Sequence, residues 1–146
     1  MKAGDIVFVK GDTFISKTVR FFDKGDFSHV AMALSSSHII EAQYNSRVRI
    51  KPLDYENIEV FEMNMNISQR HTLLQNAVNS TGKWYDYLQI IGFILAPNRR
   101  VGSPKQFICS ELVHALLEGV GIEVGDEFTT PNQLYRLLHE RRSRMI

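Results

Sequence analysis

The chain contains one cysteine, Cys109, and five histidines. A cysteine acts as a nucleophile in its thiolate form and needs a base within hydrogen-bond reach. Imidazole is the usual base because its ordinary pKa of about 6.5 lets it take and return a proton near neutral pH. Cys109 stands at the head of a periodic apolar run (Ile108, Leu112, Val113, Leu116, Leu117, Val120), which predicts a helix from Phe107 to about Gly119 or Gly121 with the thiol in its first turn. Unpaired backbone N–H groups and the helix dipole favour a thiolate there. The competing reading is a small buried hydrophobe, the common fate of a free cysteine.

Three of the histidines, His71, His114 and His139, fall on predicted helices among polar neighbours and read as surface residues. His29 and His38 belong to a hairpin: Ser28 to Leu34 and His38 to Ala42 are β-branched and apolar, separated by Ser35-Ser36-Ser37. A three-residue loop pairs Leu34 with His38 and Ala31 with Glu41, which places His29 diagonally across from Glu41 on one face of the sheet. Diagonal neighbours are roughly 7–8 Å apart at the backbone, a gap these two side chains can close. A carboxylate there would fix the imidazole tautomer and stabilise the imidazolium. One more loop residue would turn Glu41 to the opposite face. Ala31 and Ala33 share the face of His29 and leave space above the sheet, while Val30, Met32 and Leu34 fill the other side. The plain alternatives are a solvated strand-end carboxylate and a structural histidine bonded to backbone.

The elements that must position these groups form an α+β pattern. Ile6 to Val9 reads as a buried strand, and Arg47 to Ile50 and Ile58 to Met63 alternate as two more. Phe14, Ile15, Thr18, Val19 and Phe22 recur at helical spacing up to Gly25. Ser68 to about Ser80 is a second helical stretch, and Tyr87 to Leu95 a third that Pro97 stops. Thr130-Pro131 looks like a cap followed by proline at the first helical position, opening a last helix through Leu134, Leu137 and Leu138. With no repeat or linker in 146 residues, 1–146 reads as a single domain.

Composition narrows the chemistry. A lone cysteine permits neither an intramolecular disulfide nor a multi-cysteine zinc site. Seventeen basic against sixteen acidic residues give a net charge of +1, which argues against nucleic acid as a partner. The most apolar window, Ile90 to Ala96, falls far short of the ~20 residues that span a bilayer. With no signal-peptide pattern at the N-terminus, the expected location is cytoplasmic. Arg141-Arg142-Ser143-Arg144 reads as a solvated basic tail.

Several of these segments, taken in order, resemble a known family: Gly4-Asp5-Ile6-Val7-Phe8, Ser28-His29-Val30, His38-Ile39-Ile40-Glu41-Ala42, Trp84-Tyr85-Asp86 and Phe107-Ile108-Cys109-Ser110-Glu111-Leu112-Val113. The set is similar to the circularly permuted NlpC-like cysteine hydrolases of the papain-like fold, over about residues 4 to 138. The resemblance implies a permuted papain-like fold, with an antiparallel sheet or partial barrel packed against helices. It also implies a nucleophile at Cys109, a base at His29, a third member at Glu41 and a pocket-lining role for Tyr85.

The expected activity is hydrolysis of a peptide, isopeptide or ester bond through a covalent acyl-enzyme, which requires no metal or organic cofactor. Two alternatives stand beside it. One is a lipid acyltransferase or thioesterase-type enzyme on the same fold, with Phe14, Phe21, Phe22 and Phe27 dressing an apolar groove. The other is a binding module that keeps the fold without the activity. A metal site made of His29, Glu41 and Cys109 lacks any close-spaced ligand pair.

Overall fold

The computed structural model describes residues 1–10, 27–42, 48–82, 104–124 and 130–144. The helices expected over 14–25 and 87–95 lie outside them. Five antiparallel strands form one sheet in the order β4-β3-β2-β1-β5: β1 (Ile6–Val9), β2 (His29–Ala33), β3 (His38–Glu41), β4 (Arg49–Pro52) and β5 (Ile58–Phe61). Three helices are described: α1 (Ile67–Ser80), α2 (Pro104–Glu118) and α3 (Pro131–Arg144). None of them is long and apolar enough to cross a membrane.

The β-strand period of two divides the apolar residues between two clusters. Ile6 and Phe8 of β1, Val30 and Met32 of β2, and Ile40 of β3 join Leu73 of α1, Leu112, Val113, Leu116 and Leu117 of α2, and Leu134 and Leu138 of α3 in the main core. Full burial of each such aliphatic side chain contributes about 1.5–3 kcal/mol, which is why α2, packed on β2 and β3, holds its place. Val7, Val9, Ala31, Ala33 and Ile39 point the other way into a second cluster with Leu53, Tyr55, Ile58 and Val60. The space expected above Ala31 and Ala33 is therefore filled. Small side chains on the strand make room for residues of the β4–β5 connection rather than for an open cleft.

Helix ends follow the local chemistry. At the start of α1, Asn66 and Gln69 form a reciprocal capping box, two residues ahead of the expected Ser68. Thr130 and Gln133 do the same for α3, with Pro131 at its first position. Past the end of α2, Gly121 adopts φ +81°, and the Ile122 N–H reaches back to the Leu117 carbonyl at 3.0 Å, a closure that favours glycine. α2 itself begins at Pro104, earlier than the apolar periodicity indicates. Cys109 is thus beyond the first turn, and the unpaired N–H groups there belong to residues ahead of it. The helix terminus gives the thiol little help, because dipole effects fade within one turn.

Candidate active site

The β2–β3 hairpin has the register that a three-residue loop demands. Met32 pairs with Ile40 and Ala33 with Ile39, and the Leu34 N–H donates to the His38 carbonyl at 2.9 Å. His29 opens β2, where it pairs with Val9 of β1, and Glu41 ends β3. Across the diagonal, His29 Nε2 lies 2.7 Å from Glu41 Oε2. The Glu41 side chain is fully buried, whereas the imidazole keeps 15% of its surface exposed. His38 sits exposed at the loop, with Nδ1 2.9 Å from the Ser37 hydroxyl, and takes no part.

Cys109 reaches the same imidazole from α2 and is buried, at 5% exposure. Burial by itself would pull His29 to lower pKa. Hydrogen bonds to Cys109 and Glu41, together with their charges, outweigh it and push His29 from 6.5 up to about 9. One imidazole is thus flanked by the thiol and the carboxylate that the sequence singles out. Tyr85, the fourth position assigned to the site, lies outside the described residues.

Two features of the surroundings go beyond the sequence expectations. The Tyr55 hydroxyl, from the loop after β4, donates to Glu41, with Oε2 at 2.8 Å and Oε1 at 3.0 Å. Lys51 Nζ and Arg49 Nη2 of β4 lie 3.4 and 3.7 Å from Glu41 Oε1. The basic alternation of β4 was the available signal: Arg49 pairs directly with Glu41, and Lys51 follows on the same face. The second feature is Asn132 in the first turn of α3. Its side chain accepts from the Phe27 N–H at 2.9 Å and donates to the Phe27 carbonyl at 2.8 Å, anchoring the chain two residues before His29. Nothing in Thr130-Pro131-Asn132 announces a contact so distant in sequence.

Other expectations are corrected. His114 is buried at 8% exposure on α2, with Nε2 3.4 Å from Glu118, rather than a surface residue. His139 is half-buried between the rings of Phe61 and Tyr135. Phe27 does not dress a groove: it is packed in the main core against Phe8 and Tyr135. Phe14, Phe21 and Phe22 lie outside the described residues.

A family described as the permuted papain-like amidase enzyme, YaeF/YiiX, C92 family matches residues 1–142. Among solved structures, the chain is similar to metalloprotein YiiX from Escherichia coli O157:H7, with a TM-score of 0.58 and 24% identity, covering 85% of this chain and 69% of that one. This second likeness is one of fold. A comparison with curated protein sequences found no match. YiiX is described as a metalloprotein; among the described residues here, no group of three His, Cys, Asp or Glu side chains is arranged to hold a metal ion. The sheet order, the helix packed across it and the match over nearly the whole length agree: this chain belongs to the permuted papain-like amidase family, a family of cysteine hydrolases with an α+β fold.

Proposed function

We propose that residues 1–146 form one hydrolase domain that cleaves an amide, in a peptide or isopeptide, or an ester, with Cys109 as nucleophile, His29 as base and Glu41 as the residue that orients the base. The observation that carries this reading is the shared imidazole. His29 is held by Glu41 at 2.7 Å, and the chain's single thiol, on the helix packed against β2, is close enough to help raise its pKa.

With Nε2 committed to Glu41, Nδ1 is the nitrogen left for the thiol. The proton shared between Cys109 and His29 rests on the imidazole, in keeping with its raised pKa, as Sγ attacks the substrate carbonyl carbon. When the tetrahedral adduct collapses, the C–N or C–O bond breaks and the imidazolium returns the proton to the leaving amine or alcohol. A thioester remains on Cys109. Water, deprotonated by His29, then attacks the thioester, and the acid departs as the proton returns to sulfur. Glu41 remains ionised throughout and stabilises the imidazolium. Family membership favours an amide over a lipid ester. The core position of Phe27 removes one support for the lipid reading.

The test is intact-protein mass spectrometry after brief exposure to p-nitrophenyl acetate, followed by digestion to locate the adduct. The expected result is one acetyl group on Cys109 that decays with time, and no such adduct in Cys109→Ala. Release of nitrophenol by that variant should fall by about a thousandfold or more. Acetylation elsewhere, with equal release from wild type and Cys109→Ala, contradicts the proposal and leaves the binding-module reading.

A further inference from the structure

Resting on the hydrolase reading above, we propose that Tyr55 is a positioning residue that keeps the Glu41 carboxylate on His29 and away from the two cations of β4. Glu41 is drawn from two sides. Oε2 faces His29 at 2.7 Å, while Oε1 faces Lys51 Nζ at 3.4 Å and Arg49 Nη2 at 3.7 Å. Coulomb attraction varies only as the inverse of distance, so these separations alone do not decide which partner holds the carboxylate. A hydrogen bond is far steeper in distance and angle. The Tyr55 hydroxyl supplies one that lies across both carboxylate oxygens, at 2.8 and 3.0 Å, and so fixes the rotation of the group.

The Tyr55 ring restrains the competitor as well. Lys51 Nζ stands 4.6 Å from its centroid, a cation–π arrangement, and is 2.8 Å from Asp54 Oδ1. The same ring lies 5.7 Å from the His29 ring and packs into the cluster built on Val7, Ala31 and Ile39. The small Ala31 and Ala33 are what allow the tyrosine to come down onto the sheet beside the base. Among the described residues, the ionisable groups facing His29 are Glu41 from β3, Cys109 from α2 and Tyr55 from the loop after β4, with Arg49, Lys51 and Asp54 behind Glu41. β1 presents Val9.

The experiment follows the His29 imidazole by NMR across pH in wild type, Tyr55→Phe and the double variant Tyr55→Phe/Lys51→Met, with a thermal melt of each. Tyr55→Phe keeps the ring and its packing. Without the hydroxyl, the carboxylate turns towards Lys51, and the His29 midpoint drops by about one pH unit, a tenfold loss of proton affinity. Removing Lys51 in the double variant brings most of that loss back. A midpoint that stays at the wild-type value or rises in Tyr55→Phe overturns the proposal, even if the melting temperature falls, because a purely structural tyrosine would change only the melt. A lowered midpoint that the double variant does not recover also overturns it. No substrate enters the measurement, so failure of the acetyl-capture experiment is read separately.

Discussion

Asp5 and Glu41, two of the buried carboxylates among the described residues, are satisfied in opposite ways. Asp5, 2% exposed, accepts from the Lys2 and Met63 backbone N–H groups at 2.8 and 3.0 Å, and lies 3.4 Å from the Arg70 guanidinium. Arg70 spends its other hydrogen bonds on the carbonyls of Ala3 and Met63. Next to Asp5, Gly4 turns the chain at φ +97°, where a Cβ would come within 2.6 Å of the Met65 sulfur. Glu41, also fully buried, instead meets side chains: an imidazole, a phenol and two cations. A carboxylate tied to backbone N–H groups and arginine staples the N-terminus to the chain just past β5 and to α1. One tied to an imidazole that also touches a thiol is placed for proton transfer.

Substitutions at the two sites should therefore separate activity from stability. Glu41→Gln should lower acylation of Cys109 by about 10²–10⁴-fold while leaving a folded protein, as rates of acetyl capture beside a urea melt will show. Equal loss of both quantities would erase the distinction between the two carboxylates. Asp5→Ala should cost about 3–5 kcal/mol in urea unfolding, because it leaves Arg70 without its buried partner, and should not move the His29 midpoint in the fraction that folds. Asn132→Ala should have the smallest effect. Orphaning the Phe27 N–H and carbonyl should cost about 1–3 kcal/mol, with a slower acylation rate because the chain entering β2 loses its anchor.

The part of this arrangement legible in sequence is the part fixed by short-range rules. Ser35 to Ser37 set the hairpin register, and the register sets the diagonal between His29 and Glu41. Thr130-Pro131 marked its helix start because capping chemistry is local. What escaped depends on distant packing. The start of α2 lies in a polar segment ahead of the apolar run, and periodicity does not detect it. Tyr55 is in a connection without period, and Asn132 is bonded across 105 residues of chain. His114 reads as polar surface because its burial depends on which face of α2 meets its neighbours.

Whether sulfur and imidazole act as a pair is tested most sharply by the His29 titration in wild type and in Cys109→Ala. In the folded wild type the imidazole holds its proton up to about 9, against 6.5 for an ordinary histidine. The stabilisation it gives is therefore complete below about pH 6.5 and is lost as pH rises through about 9, so the urea midpoint should decline across that window. Cys109→Ala removes the sulfur's upward pull on His29 and leaves Glu41 alone to oppose burial. The expected result is a wild-type midpoint near 9 that falls by about one pH unit or more in the variant. The same midpoint in both proteins would contradict it, because sulfur and imidazole would then not act as a pair.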